Sequence, residues 1–411
     1  MISRTIYKEI LDTISNKAVT VITGARQVGK TTLCSWIEKE LKFNYVSLAD
    51  PIIRNAAKND PSEFLSLNPF PLIIDEIQKA PELFDYLEGI VDKEIKKGNK
   101  KGLYVLTGSQ AYKLMKGVNE SMSGRVGLVS MSPLSLSEIN GKEENPFCVD
   151  IKRINCRIND YSIETRKMYD YITRGFYPEL YDNPSLKASV FYADYVETYI
   201  ERDVTDFITL KDKQKFINLM TILASLTGQE LIYDNLAKII GVDVKTIQSW
   251  VSVLIAGNII YLLQPYNEES MVKQVTKRSK IYFCDTGLAC YLARVNTTDA
   301  LISSYLKGHM VETFIINEII KSYKNNRVDK ESSFYYYRNS NQEEIDLIIN
   351  RDGKLTLLEC KSGEEYSASD VSSFDNLEKT KLKIDNNAII CTTKTIYSIK
   401  KGVYVIPFTA I

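Results

Sequence analysis

Two groups of residues in this 411-residue chain have the types and spacing to do chemistry, and both point to phosphate. The first is Gly24-Ala25-Arg26-Gln27-Val28-Gly29-Lys30-Thr31-Thr32. The spacing G-x-x-x-x-G-K-[ST] lets successive backbone N–H groups cradle phosphate oxygens, while Lys30 reaches the β- and γ-phosphates and Thr31 ligates Mg²⁺. Its acidic counterpart is the apolar run Phe70-Pro-Leu-Ile-Ile, which ends in Asp75-Glu76. Asp75 is expected to hold the Mg²⁺ shell and Glu76 to polarise an attacking water as a general base. The guanine-reading N-K-x-D is missing, because Asn16-Lys17 is followed by Ala-Val. ATP is therefore the expected nucleotide, and hydrolysis the expected reaction. Ser109 closes the run Leu103–Ser109 and reads as a γ-phosphate sensor or as a helix cap. Arg125, in Ser-Gly-Arg-Val, reads as a finger on the ATP of a neighbouring copy or as a surface ion-pair partner.

The second group lies in FYYYRNSNQEEIDLIINRDGKLTLLECK, residues 334–361. Alternating runs flank Asp352-Gly353, a strong hairpin signal. With that dipeptide as the turn, Arg351 faces Lys354, Asp346 faces Glu359 and Glu344 faces Lys361. The period of two puts the last four on one side of the hairpin. Facing carboxylates with Cβ atoms ~4.5–5.5 Å apart repel unless a cation or a proton sits between them. Mg²⁺ or Mn²⁺ suits such oxygen ligands. Lys361 would steady the attacking water or the phosphate. Upstream, Glu312 sits among apolar neighbours in an amphipathic helix, Gly308–Tyr323, and completes a metal set of Glu312, Asp346 and Glu359. The plainer reading makes Glu344 and Lys361 an ordinary cross-strand ion pair.

These groups need elements to hold them. Ala18–Thr23 is a short β-branched run and predicts a buried strand; the apolar spacing of Thr32–Leu41 predicts a helix. A strand, a glycine loop and a helix are what the cradle requires. Leu103–Thr107 predicts a further strand. Residues 146–212 read as helical and tyrosine-rich, like a lid. Arg174 stands where a lid arginine would reach phosphate, although an ordinary surface arginine is the better reading. Leu231–Leu254 reads as a helix ending at Gly241, a short turn and a second helix from Asp243, the helix-turn-helix pattern. Strands at Ile259–Leu263 and Lys280–Cys284 follow, and Lys273, Lys277, Arg278 and Lys280 would make a basic wing. On DNA, Lys245, Thr246, Gln248 and Ser249 would enter the major groove and the wing lysines would meet phosphate. Packing against another domain is an equally open use. Asn387–Thr392 and Gly402–Pro407 predict the last strands.

Bulk properties restrict the class. Lysine plus arginine equal aspartate plus glutamate, 52 against 52, so net charge does not argue for a nucleic-acid partner and leaves a local basic patch open. No apolar run is long enough to span a membrane, and the charged, helix-periodic N-terminus does not read as a signal peptide. Seven cysteines without C-x-x-C read as reduced thiols of a cytoplasmic protein. His309 is the single histidine, which rules out His-rich zinc sites and argues against a Ser-His-Asp hydrolase.

The stretches VITGARQVGKTTL, PLIIDEIQKAPEL, LTGSQ and SGRVGLVSMSPLSLSE resemble the AAA+ ATPases found widely in bacteria and archaea, strongly over roughly residues 1–140. Glu312, Asp346 and Glu359-x-Lys361 resemble the PD-(D/E)xK restriction-endonuclease-like superfamily, with Ile345 standing where proline is usual. The first resemblance implies an AAA+ sheet with the roles given above. The second implies a mixed sheet flanked by helices and metal-assisted phosphodiester hydrolysis. The expected fold is α/β: a P-loop AAA+ parallel-sheet core at 1–145, a helical lid at 146–212, a winged-helix module at 213–280 and a nuclease-like mixed sheet at 281–411. The expected function is an ATP-hydrolysing, DNA-associated protein with an Mg²⁺-dependent nuclease domain, and Arg125 raises a homo-oligomer. The alternative is a regulatory ATPase switch whose C-terminal parts only bind a protein or DNA partner.

Overall fold

A computed structural model describes residues 2–108, 114, 124–160, 162–200, 204, 212–267, 278–329, 332–377 and 382–411. They form two compact units. One is Met1–Leu134 with Tyr177–Glu179 and Ala256–Asn258; the other is the rest of Ser135–Ile411.

The first unit is an α/β sandwich on a parallel sheet. Its strands are β1 (Val19–Gly24), β2 (Asn44–Ser47), β3 (Leu72–Asp75), β4 (Tyr104–Thr107) and β5 (Val126–Met131), in the order β2-β3-β4-β1-β5. β1, β3 and β4 are buried along their whole length, which is why they read as unbroken apolar runs and not as alternating ones. Helices α1 (Ile6–Asn16), α2 (Lys30–Leu41), α3 (Pro51–Asn59), α4 (Pro61–Leu67) and α5 (Leu83–Lys96) connect and cover the strands. Two of them start with Asp-Pro: the Asp50 carboxylate accepts from Ile52 N at 2.7 Å, and Pro51 takes the first helical position, where no N–H is needed. Because all five strands run the same way, Gly24, Asp75 and Thr107 finish at one edge of the sheet.

The second unit carries a mixed sheet. Its strands are β6 (Gln229–Glu230), β7 (Ile260–Pro265), β8 (Lys280–Phe283), β9 (Ser332–Arg338), β10 (Glu344–Arg351), β11 (Lys354–Cys360), β12 (Lys383–Ile384), β13 (Asn387–Cys391), β14 (Tyr397–Lys400) and β15 (Val403–Pro407). The order is β14-β15-β13-β11-β10-β9-β7-β8-β6, with β12 beside β11. The β10–β11 hairpin has the expected turn: Asp352 and Gly353 both take positive φ, 54° and 71°, and the pairing runs from Arg351↔Lys354 to Leu347↔Leu358. The helix-turn-helix pair, Tyr233–Ile240 and Val244–Ala256, meets at 104°.

The segments expected as lid, winged helix and nuclease-like domain share this one unit. β7 pairs with β8 as expected, but it also pairs in parallel with β9 at Gln264↔Tyr335 and Pro265↔Tyr336, so the hairpin of the winged-helix segment continues into the C-terminal sheet. The helix Lys307–Asn325, expected to be amphipathic, is instead buried from Met310 through Tyr323. Its buried polar groups reach residues far apart in sequence. Tyr261 OH donates to Asn317 Oδ1 at 3.0 Å, and Asn317 donates to Phe283 O at 2.8 Å. Leu136 N donates to Glu318 at 2.6 Å, Phe147 N to Ser322 Oγ at 3.0 Å, and Asn325 Nδ2 to Glu144 Oε2 at 2.8 Å. Among the described residues, no single helix is long and apolar enough to cross a membrane.

Burial, reinforced by Glu138, pushes the Glu144 carboxyl up from 4.5 to about 7. A raised value means the protonated acid is the form the fold prefers. Its contribution is full below pH 4.5 and is lost as pH rises through about 7. Glu144→Gln is therefore expected to exceed wild type in stability at pH 8, by up to about 3 kcal/mol, and to lose that advantage by pH 4.5. Thermal melts at both pH values check this; an advantage that does not change with pH would contradict it.

Candidate functional site

The phosphate cradle is built at the end of β1. Gly24 has φ 144°, and a Cβ there would lie 2.5 Å from Met131 O on β5, so only glycine lets the chain turn beside that strand. Gly29, with φ 97°, leads into α2 at Lys30, and the N-terminal N–H groups of that helix border the loop. Arg4 braces the loop, donating to Val28 O and Ser132 O at 2.7 Å each. Sequence reading missed Arg4; no motif surrounds it. Lys30 is buried, and its Nζ donates to Gly24 O at 2.9 Å and Ala25 O at 2.7 Å. Thr32 is exposed at the start of α2, as is Gln27 in the loop, while Ala25 and Val28 are buried.

Asp75 is the hub of this site. Thr31 Oγ1 donates to its Oδ2 at 3.2 Å, Tyr45 OH to the same oxygen at 3.0 Å, and Thr107 Oγ1 to Oδ1. Burial, followed by the Asp75 charge, pushes the Tyr45 phenol up, so it stays a donor at neutral pH. Glu76 follows in the left-handed region, φ 59°, and its N–H donates to Thr107 Oγ1 at 3.4 Å. Buried Gln78 donates to Glu76 Oε2 and fixes that carboxylate. Tyr45 and Gln78 are further residues that sequence reading did not single out: Tyr45 lies outside every quoted stretch, and Gln78 lies within PLIIDEIQKAPEL two residues past Glu76.

Lys30, Thr31, Asp75 and Glu76 thus meet at one edge of the sheet. Ser109 lies outside the described residues. Arg125 does not join them in its own chain. It precedes β5, whose first residue pairs with Val19, at the opposite end of the sheet from Gly24↔Met131. Its guanidinium is held by Asp92, at 2.5 and 2.9 Å, and by Glu88, at 3.1 Å. Arg174 is likewise tied to its own neighbourhood, donating to Leu180 O and Pro184 O.

A second cleft, of about 690 Å³, opens in the other unit. The β10–β11 hairpin supplies Glu344, Asp346, Glu359 and Lys361, the buried helix supplies Glu312 and His309, and β8 supplies Lys280. Asp346 Oδ2 accepts from Cys360 N at 2.8 Å, and the Lys361 ammonium lies 3.0 Å from Glu359 Oε2. Burial, followed by the facing Asp346, pushes the Glu359 carboxyl well up, and Lys361 pulls it back. This is the repulsion that the hairpin register anticipates. Glu344 departs from it. The β10–β11 pairing runs no further than Leu347↔Leu358, and Glu344 pairs with Lys280 in place of Lys361.

Lys280 is the main correction. Expected on a solvated wing, it is 3% exposed, and its Nζ lies 3.0 Å from Glu312 Oε1 and 4.0 Å from Asp346 Oδ1. Tyr282 OH also donates to Glu312 Oε1, at 2.6 Å. Burial opposes the Lys280 charge, but Glu312, Asp346 and Glu344 outweigh it and hold the ammonium above its ordinary range. Glu312 is thereby held by Lys280 and Tyr282. Among the described residues, no three histidine, cysteine or carboxylate side chains are grouped to enclose a metal ion. Burial and the nearby Lys280 hold the His309 imidazole below its usual range, so it is neutral. The cleft carries six carboxylates against three cationic side chains. On the helix-turn-helix, Lys245, Gln248 and Ser249 are exposed, whereas Thr246 is turned back onto Asp243. Lys273 and Lys277 lie outside the described residues, and Arg278 stands 3.9 Å from Glu230.

Residues 16–140 match the sequence family described as an AAA domain. With the cradle and the Asp75-Glu76 strand end, the match marks these residues as a P-loop ATPase domain and supports ATP binding and hydrolysis there. Residues 165–299 match a domain of unknown function (DUF8612), a span that crosses the expected lid and winged-helix segments, and residues 307–411 match another (DUF4143). Uncharacterised proteins of Mycobacterium tuberculosis (Rv2008c) and Mycobacterium bovis (Mb2031c) are each 25% identical over 369 residues, covering 89% of this chain and 76% of theirs. The Walker-type ATPase PABY2304 of Pyrococcus abyssi overlays with a TM-score of 0.43 at 15% identity, over 70% of this chain and 94% of its own. RuvB of Thermotoga maritima, a Holliday junction branch migration motor, overlays with a TM-score of 0.30 at 16% identity, over 63% and 89%.

Lys30→Ala is expected to abolish ATP binding. Glu76→Gln is expected to keep binding and to lower turnover by ~10²-fold or more, the contribution of a positioned base. Nucleotide-binding titration beside phosphate release checks both; wild-type turnover in Glu76→Gln would remove Glu76 from the base role.

Proposed function

We propose that the chain couples its ATP hydrolysis to metal-dependent cleavage of DNA phosphodiesters in the second cleft. The observation that carries this reading is the Asp346–Glu359 pair, two buried carboxylates held face to face with Lys361 3.0 Å from Glu359. Hard oxygen donors in this arrangement suit Mg²⁺ or Mn²⁺, and the charge excess of the cleft favours a cation. Asp346 and Glu359 would hold the ion, which when bound supplies Lewis acidity and a more acidic water. Cys360 N fixes the Asp346 carboxylate, and Lys361 is placed to orient a phosphate oxygen. The exposed Lys245, Gln248 and Ser249 of the helix-turn-helix provide a surface for the duplex. In the ATP site, Thr31 and Asp75 would hold the Mg²⁺ of the nucleotide, Lys30 would neutralise its phosphates, and Glu76, aligned by Gln78, would receive the proton of the attacking water.

A second reading has its own support. The committed Glu312 and the buried Lys280 fit a cleft that binds a partner without cutting it, with ATP setting the conformation.

Plasmid DNA incubated with Mg²⁺ or Mn²⁺, with and without ATP, separates these readings. Wild type is expected to nick it, and Lys361→Ala to lose at least ~10²-fold of that activity while keeping its ATPase. Intact plasmid under every condition would leave the partner-binding switch.

A further inference from the structure

Lys280 is a cation that the fold itself supplies to the C-terminal cleft. It enters from β8, and its ammonium is shared by Glu312 at 3.0 Å, Glu344, and Asp346 at 4.0 Å. It also stands 5.6 Å from the centre of the buried Tyr336 ring. A divalent ion bonded to both Glu312 and Asp346 would need to lie ~2.0–2.6 Å from an oxygen of each. The Lys280 ammonium lies beside both carboxyl groups, 3.0 Å from Glu312 Oε1 and 4.0 Å from Asp346 Oδ1, where its positive charge disfavours a second cation.

We propose that Lys280 takes the place of a second metal ion, so that the cleft accepts one divalent cation, at Asp346 and Glu359, and not two. Lys280 is then a positioning residue. It pairs with Glu312 and lies 4.0 Å from Asp346 Oδ1, while Cys360 N holds the other Asp346 oxygen. This rests on the cleavage reading above, but it concerns metal stoichiometry and is tested by it.

The experiment counts Mn²⁺ bound to the nucleotide-free, full-length chain by calorimetry and by the electron paramagnetic resonance signal of the free ion. Subtracting the count for Asp346→Asn removes ions held elsewhere. Wild type is expected to show one Asp346-dependent ion. Lys280→Arg is expected to keep that count at one. Lys280→Met is expected to raise it to two, the second being lost again when Glu312→Gln is added. Should Lys280→Met fail to fold, Glu312→Gln alone decides, because it is expected to retain the single ion. Two Asp346-dependent ions in wild type, an unchanged count in folded Lys280→Met, or loss of the ion in Glu312→Gln would overturn the role of Lys280 and leave the cleavage reading intact. No Asp346-dependent ion at all would overturn both.

Discussion

The row of polar side chains buried along the helix Lys307–Asn325 is the constraint on which the second unit depends. A helix this deep in a core would ordinarily be apolar on every side. Here Glu312, Asn317, Glu318, Lys321, Ser322 and Asn325 are all buried. A buried polar group left without a partner costs about 1–3 kcal/mol, and a charged one more. Each group therefore demands a particular neighbour, and the neighbours come from several parts of the chain: Leu136, Glu144, Phe147, Tyr261 and Lys280. Apolar packing alone would tolerate sliding of these segments over the helix. Hydrogen bonds of this kind fix one arrangement.

The two sites manage buried acid in different ways. Around Asp75 the carboxylate is surrounded by neutral hydroxyls from Thr31, Tyr45 and Thr107, which orient it and leave its charge available to a cation. In the C-terminal cleft, acids face one another, and the fold answers with ammonium groups, Lys280 on one side and Lys361 on the other. The first is a site waiting for charge to arrive with a ligand. The second has much of its balance built in.

Sequence reading succeeded where a short-range rule governs the outcome. The glycine spacing of the cradle, the apolar strands β1, β3 and β4, the two helices about Gly241 and the Asp352-Gly353 hairpin all follow from local sterics and periodicity. The facing of Asp346 and Glu359 followed from counting outward from that turn. Reading failed where a long-range partner decides. Lys280 stands in a run with other basic residues and looks like a wing lysine; only the presence of Glu312, 32 residues away, explains its burial. Glu344 lies beyond the last paired residues of the β10–β11 hairpin, Leu347↔Leu358, and its partner Lys280 comes from β8, which no local rule reveals. Arg4 and Tyr45 brace the ATP site from segments with no pattern of their own. The lid, winged-helix and nuclease-like modules came from dividing the chain by local patterns, and the hydrogen bonds of the buried helix run across those divisions.

The same helix bears on how this chain can be cut and recombined. The matched sequence families part between residues 299 and 307, which looks like a natural seam for gene fusion. Physically it is a poor one. A piece beginning there would carry Glu312, Asn317 and Glu318 without Lys280, Tyr261 and Leu136, and each would remain in the core with its counterpart deleted. The compact units divide near residue 134, although Tyr177–Glu179 and Ala256–Asn258 belong with the first. The segments that supply partners to this helix are expected to be inherited, transplanted or lost with it, whatever boundaries sequence similarity draws between them.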